Sequence, residues 1–224
     1  MRILGITSAI GIVGAGVVDD QGILAECSIS SSITQSEKLI TLVEDVLKKI
    51  RIKINDIDAV AVTTGPGSYS GLRGGLATAK GLVAALDVPI IPVSTLHAIA
   101  FNFVNMEGTV AVAVNACRDD YNLSLWGVSR GVLSRLTEDL TVKLENIVDV
   151  LSSVKGSLTV ASDQKVKDMI NSDNILFAEQ KNVVPWAVNV AKIGIDKLKK
   201  GEIADPVGLV PSYSHKPNIR EFKK

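Results

Sequence analysis

The stretch Thr63-Thr64-Gly65-Pro66-Gly67-Ser68-Tyr69-Ser70-Gly71-Leu72-Arg73-Gly74-Gly75-Leu76 carries the information that decides the fold. It follows a short β-branched run, Asp58 to Thr63, and leads into Leu72 to Leu86, whose apolar residues recur at helical spacing. The glycines therefore mark a strand-to-helix turn. Such a turn aims several backbone N–H groups and a positive helix end at one point, which is how chains hold phosphates. Gly65, Gly67, Ser68 and Gly71 are on that ground a candidate anion turn. The spacing matches neither GxxxxGK followed by Ser or Thr nor GxGxxG: Leu72 stands five positions beyond Gly67, and Ser70 stands where a third glycine is needed. The competing reading is close packing. A glycine inside a helix costs about 0.8–1 kcal/mol relative to alanine, so Gly74, Gly75 and Gly81 require an offsetting contact. Leu72, Leu76, Ala79, Val83 and Leu86 form one apolar stripe, Leu82 and Ala85 widen it, and Arg73 and Lys80 are the charges before Asp87. A helix apolar on more than one side is usually covered on more than one side, which points to a partner surface.

Upstream, Arg2 to Thr7, Gly14 to Val18 and Ile23 to Ile29 are β-rich, and Asp19-Asp20-Gln21-Gly22 favours a tight hairpin because Asp and Gly accept positive φ. Thr34 with Glu37 is a capping-box pattern, and Leu39, Val43, Val46, Leu47 and Ile50 then follow at helical spacing. Downstream, Val88 to Val93 reads as a strand and Ser94 to Val104 as a helix. The order βββαβαβ implies a mixed sheet with right-handed helical crossovers. A turn signal at Glu107-Gly108 divides the chain into a first lobe, 1–105, and a second, 106–224. The second lobe shows strands at Val110 to Val114, Leu123 to Val128 and Leu158 to Ala161, with helices at Leu144 to Ser152 and Pro185 to Lys200. No internal repeat is visible in the sequence.

The 224 residues are 46% hydrophobic and 21% charged, with 24 Lys+Arg against 24 Asp+Glu, which excludes both disorder and the basic excess of a self-sufficient nucleic-acid binder. Aromatic residues at 4% leave few rings for base stacking. Cys27 and Cys117 stand far apart, no cationic leader opens the chain, and no apolar run approaches the roughly 20 residues of a membrane span. A cytoplasmic, non-membrane protein is expected. From Lys192 onward eight Lys/Arg face four Asp/Glu, a cluster best read as a solvated helix end.

The segment GPGSYSGLRGGLATAKGL, preceded by DAVAVTTGPGS and followed by DVPIIPVSTLHAIA, resembles the TsaB (YeaZ) family, whose pattern is GPGSFTGLRIGLATAKGLA. RILGITSA, QSEKLITLVEDVL and PSYSHK extend the match over about the first 105 residues and the tail. The resemblance implies an α/β fold of the actin-like ATPase (ASKHA) superfamily, with two RNase H-like lobes, each a mixed sheet with flanking helices, and the last residues packing back on the first lobe. It implies a noncatalytic scaffold of tRNA threonylcarbamoyladenosine formation, bound to a TsaD-like catalytic paralogue with a TsaE-like ATPase, reaching tRNA only through that complex and pairing with itself when alone. The docking helices would be about 35–50 and 72–86, with Leu39, Val43, Arg73, Leu76, Ala79, Lys80 and Val83 at the interface. The resemblance assigns no intrinsic cofactor and leaves ATP or ADP binding open.

The departures bear on chemistry. Ile6 runs into Thr7 and Ser8 where the family often has an Asp, and a carboxylate there would hold a nucleotide metal. The catalytic paralogue's His-x-x-x-His registers on Thr95 and Ile99, neither of which binds a metal, and His97 lies on another helical face. His97 and His215 read as packing or surface histidines. Ser68, Ser70 and Ser94 sit in no GxSxG elbow, and Arg118, Asp119 and Asp120 read as a charged loop. The rivals are a stand-alone ATPase or glycoprotease-like hydrolase using the glycine-rich turn, and an RNA-binding module led by the basic tail.

Overall fold

The computed structural model describes residues 1–30, 36–170 and 174–214. β1 (Arg2–Thr7), β2 (Ile12–Asp19) and β3 (Gly22–Ser30) form an antiparallel meander. The Asp19 carboxylate accepts from the N–H groups of Gln21 and Gly22 at 2.8 and 3.1 Å, which fixes the hairpin between β2 and β3. β4 (Ala59–Gly65) and β5 (Ile90–Ser94) extend the sheet in parallel from the other edge of β1, giving the order β3-β2-β1-β4-β5.

One face of this sheet is covered by α1 (Leu39–Ile50) and α2 (Tyr69–Leu86), whose apolar stripes meet Leu4, Ile6, Val13, Ala15 and Val17. α1 enters through a 3-10 turn, Ser36–Lys38, and Thr34 of the expected capping box lies outside the described residues. α2 begins at Tyr69, three residues ahead of its apolar run, because Ser68 caps it by accepting from the N–H of Gly71. The expected helix at 94–104 is α3 (Thr95–Ala100), capped by Ser94 and tightening into a 3-10 turn at Phe101–Phe103.

The second sheet is built from β6 (Gly108–Cys117), β7 (Asp120–Ser129), β8 (Val132–Arg135), β9 (Leu140–Lys143), β10 (Leu158–Ala161) and β11 (Ile175–Phe177). α4 (Leu144–Ser152) and α5 (Gln164–Met169) supply its helices. From the hairpin edge its order is β8-β7-β6-β10-β11, with β9 also on β7, and the parallel pairs are β6 with β10 and β10 with β11. This repeats the topology of the first sheet, so one layout occurs twice without a sequence repeat to announce it.

The last helix crosses the division at residue 105. α6 (Ala187–Lys199) follows the second sheet in sequence but packs on the open face of the first, where Val188, Ala191, Ile193 and Ile195 meet Ile3, Val18, Ala61 and Ile91. Small residues permit the approach. A Cβ on Gly5 would lie 2.1 Å from the carbonyl oxygen of Ala187, and one on Gly194 would lie 2.7 Å from the Cβ of Ala61. The chain then continues along the first lobe, pairing Ala204 with Ile90 as an isolated antiparallel bridge.

Glu26 on β3 fastens α6 by accepting from the N–H of Ala187, the first residue of the helix, at 2.8 Å. Burial raises its pKa, with hydrogen bonds from Ala187, Ser28 and Val188 opposing that rise. The folded state therefore holds a proton more tightly than the unfolded chain, and this group's contribution weakens as pH rises through the shifted value. Glu26→Gln keeps an acceptor and removes the charged form, so its melting temperature at pH 7 is expected to equal or exceed that of the parent. Glu26→Ala loses the cap, at a cost of about 1 kcal/mol. Thermal melts of the two variants at pH 7 and pH 5 check both the sign and the ranking.

Candidate functional site

The glycine-rich turn is held from two directions. From β1's end, Ala9 accepts the N–H of Ser68 at 2.8 Å, and the Ser8 hydroxyl donates to the carbonyl of Gly71 at 2.7 Å. The N–H of Gly71 is taken by the Ser68 hydroxyl and that of Leu72 by the Ser68 carbonyl. From the tail, the N–H of Ser212 donates to Thr64 at 2.7 Å, and the Ser212 carbonyl oxygen would lie 2.2 Å from a Cβ on Gly65, whose φ is +130°. Gly65, Gly67 and Gly71 lie in the one turn between β4 and α2. Three N–H groups of the turn, those of Ser68, Gly71 and Leu72, point at protein oxygens, so the glycines serve close approach of the backbone as well as helix initiation.

The tail also lies against α2. The ring of Tyr213 packs on Tyr69 with centroids 5.1 Å apart, Arg73 sits 4.1 Å from the centre of the Tyr69 ring, and the Arg73 Nε donates to the Tyr213 hydroxyl at 3.1 Å. The Lys80 ammonium donates to the carbonyl of Val207 at 3.3 Å. Of the residues expected at a partner interface, Arg73 and Lys80 are therefore accessible but already bound by residues 207–213. Tyr69 and Tyr213 stand within the segments GPGSYSGLRGGLATAKGL and PSYSHK, and the sequence alone assigns neither a role.

The other five expected interface residues face inward. Leu39, Val43, Leu76, Ala79 and Val83 all belong to the core beneath the first sheet, and Ala79 is fully buried. The physical reason is that α2 carries apolar or small residues on every side, so spacing does not mark its outer face, and the sheet takes the stripe Gly71, Leu72, Gly75, Leu76, Ala79 and Val83. The outward positions are Tyr69, Ser70, Arg73, Ala77, Gly81, Ala84 and Ala85. Arg73, Ala77, Gly81 and Ala85 repeat every four residues and so lie along one face. On α1 the outward face carries Ile40, 47% exposed, with Thr41, Glu44, Asp45, Lys48 and Lys49, and Lys48 pairs with Glu44 at 3.4 Å.

No group of three His, Cys, Asp or Glu converges as a metal site among the described residues. Thr95 and Ile99 are buried in α3, and the Thr95 hydroxyl has no hydrogen-bond partner there. Ser68 and Ser94 act as helix caps, and Ser94 also donates to Asp139. Arg118 and Asp119 sit at the β6–β7 hairpin, where their carbonyls accept from Asn115 and from Leu144 N–H, and Asp120 opens β7. His215 lies outside the described residues.

His97 stacks on Trp126, with centroids 4.5 Å apart and planes 18° from parallel. Burial, helped by the charges of Lys197, Arg135 and Lys200, lowers its pKa to about 4. An unfolded chain takes up this proton near pH 6.5 and the folded protein only near 4, so the contribution is present above pH 6.5 and is lost as pH falls through that window. Between pH 7.5 and pH 5 the loss is about 2 kcal/mol. Urea denaturation at the two pH values should show it, and His97→Phe, which keeps a ring against Trp126, should reduce the difference by that amount.

A family model described as "TsaD: tRNA N6-adenosine threonylcarbamoyltransferase" matches residues 24–192. The Bacillus subtilis (strain 168) protein described as tRNA threonylcarbamoyladenosine biosynthesis protein TsaB is 28% identical over 220 residues, covering 95% of this chain and 93% of that one. Among solved structures, YeaZ from Pseudomonas aeruginosa superposes with a TM-score of 0.80 at 18% identity, over 95% of this chain and 99% of its own. The activator of the 2-hydroxyisocaproyl-CoA dehydratase from Clostridium difficile, solved with bound ADPNP, superposes with a TM-score of 0.51 at 13% identity, over 90% and 97%. These two establish likeness of fold, and with the duplicated mixed sheet they give the actin-like (ASKHA) architecture. With the glycine-rich turn, the family model and the full-length relative in agreement, the chain belongs to the TsaB (YeaZ) family of tRNA threonylcarbamoyladenosine biosynthesis, within the wider group defined by the TsaD domain.

Proposed function

We propose that this chain is a noncatalytic scaffold and activator. It docks a TsaD-like catalytic paralogue through the outer faces of α1 and α2, and with a TsaE-like ATPase it supports threonylcarbamoyl transfer to the tRNA adenosine next to the anticodon. The observation that carries the reading is Gly81. A Cβ there would meet nothing within 4 Å, so the fold itself gives no reason to retain a glycine that costs a helix about 0.8–1 kcal/mol. Flanked by Ala77, Ala84 and Ala85 on the exposed side, it leaves α2 thin enough for another helix to approach closely. Burial of such a face is worth roughly 25 cal/mol per Å² before association costs of several kcal/mol. The same face serves a second copy of the chain when the paralogue is absent.

Chemistry falls to the partner in this reading because Thr95 and Ile99 stand where the resemblance would place metal ligands, and three N–H donors of the glycine-rich turn are engaged internally. Contact with tRNA runs through the complex. No helix among the described residues is long and apolar enough to cross a membrane.

Reconstitution tests it. With a TsaD-like enzyme, a TsaE-like ATPase, tRNA and the threonylcarbamoyl donor, omission of this chain is expected to drop product to background. ATP turnover by the isolated chain, or tRNA modification without the paralogue, would overturn the assignment.

A further inference from the structure

A half-open cavity of about 460 Å³ lies on the far side of the first lobe's last helices, and residues 65–71 have no part in it. Its walls come from α3 and the following turn (His97, Phe101, Val104), from the β7–β8 hairpin (Trp126, Leu133, Arg135) and from α6 (Ile193, Lys197) with the residues after it (Lys200, Glu202). Both lobes therefore contribute, and the volume is within the usual range for small-molecule sites, roughly 300–1,000 Å³.

Three features of its lining converge. The first is a ring: His97 is stacked on Trp126, and Arg135 lies 5.2 Å from the Trp126 ring centre. The second is unfilled hydrogen-bonding capacity. Trp126 satisfies its indole N–H on Ser124 at 2.9 Å, whereas the hydrogen bond of His97 is made by its main-chain N–H, and neither ring nitrogen bonds to a described residue. The third is charge. Arg135 is paired with Glu138 and Asp139, and Lys197 with Glu202 at 3.1 Å, whereas Lys200 and the carboxylate of Asp196, which also lines the cavity, make no ion pair among the described residues. The charges that act on the His97 ring are the cations Lys197, Arg135 and Lys200, opposed by Glu202. A metal ion does not fit, because no three His, Cys, Asp or Glu side chains converge here among the described residues. A bare inorganic anion would leave Phe101, Val104 and Ile193 unused.

We infer that this cavity binds a small planar aromatic anion, a ring bearing a phosphate or carboxylate as in a nucleoside monophosphate. The ring lies against His97 and accepts or donates at its free nitrogens, and the anionic group faces Lys200 and Lys197. Occupancy ties the β7–β8 hairpin of one lobe to α3 and α6 of the other.

Trp126 reports on the site directly. In the full-length chain carrying Trp186→Phe, it is the sole tryptophan, and its fluorescence is titrated with adenosine 5′-monophosphate, adenosine, benzoate and inorganic phosphate. Calorimetry on the unmodified chain repeats the ranking should that substitution disturb α6. Saturable quenching by the monophosphate is expected, with adenosine about tenfold weaker and inorganic phosphate inactive. Lys200→Ala, an exposed change, should weaken the monophosphate about five- to tenfold and leave adenosine unaffected, while His97→Leu should weaken both. Stronger binding of benzoate than of the monophosphate would support the site with a carboxylate as its natural anion. The inference is overturned if neither aromatic anion binds, if adenosine binds as well as its monophosphate, or if binding survives both Lys200→Ala and His97→Leu unchanged.

Discussion

Ala77→Arg is expected to leave the monomer as stable as the parent and to abolish co-purification with a TsaD-like paralogue, whereas Ala79→Arg is expected to unfold the chain. Ala77 is exposed on the outer face of α2, and Ala79 is completely buried against the sheet. An arginine at 79 has to place a guanidinium among Leu4, Val62 and Val83 or push α2 off the sheet, which costs upwards of about 4 kcal/mol. At 77 the same side chain extends into solvent in the free protein and collides with any helix seated on Gly81, lowering affinity by about 100-fold or more. A milder substitution gives the opposite balance. Gly81→Ala should raise monomer stability by about 0.5–1 kcal/mol, because no atom lies near the added methyl, while weakening the complex. Circular dichroism melts and a pull-down read the two effects separately. An intact complex with Ala77→Arg would remove α2 from the interface.

The second large effect is expected at Gly5. Gly5→Val puts a branched side chain where the main chain of α6 already lies, with Ala187 O at 2.1 Å and Ala191 N at 2.7 Å from the first added carbon. Backbone cannot rotate aside as a side chain can, so α6 must lift from β1. The contacts of Val188, Ala191 and Ile195 with the sheet go with it. A loss of about 4 kcal/mol or more follows, enough to unfold a domain of ordinary stability. Gly5→Ala should lie between parent and valine. Urea midpoints of the three proteins give the order, and a valine variant as stable as the parent would show that α6 is not seated as described.

Much of the first lobe was legible because its signals are local. The Asp19–Gly22 hairpin, the apolar spacing of α1 and the glycine-rich junction between β4 and α2 each depend on neighbours a few residues away. In the second lobe α4 and β10 stand at the bounds read from sequence, Leu144–Ser152 and Leu158–Ala161. β8, β9 and β11, at four, four and three residues, are too short for a period to show.

What the sequence determined by itself is the family, the order of elements in the first lobe and the apolar, small-residue character of α2. Only the tertiary structure decided which way that helix faces and where α6 belongs. A helix turns about 100° per residue, so Ala77 and Ala79 point to nearly opposite sides, about 160° apart. In a segment with apolar residues on every side, composition offers no contrast by which to choose between them. The sheet makes the choice by taking the stripe that carries Leu72, Leu76 and Val83, with Gly71, Gly75 and Ala79 beside them, and leaving Ala77, Gly81, Ala84 and Ala85 outside. The return of α6 to β1 rests on Gly5 meeting Ala187 and Ala191, residues about 180 positions apart whose fit exists only once both lobes have folded.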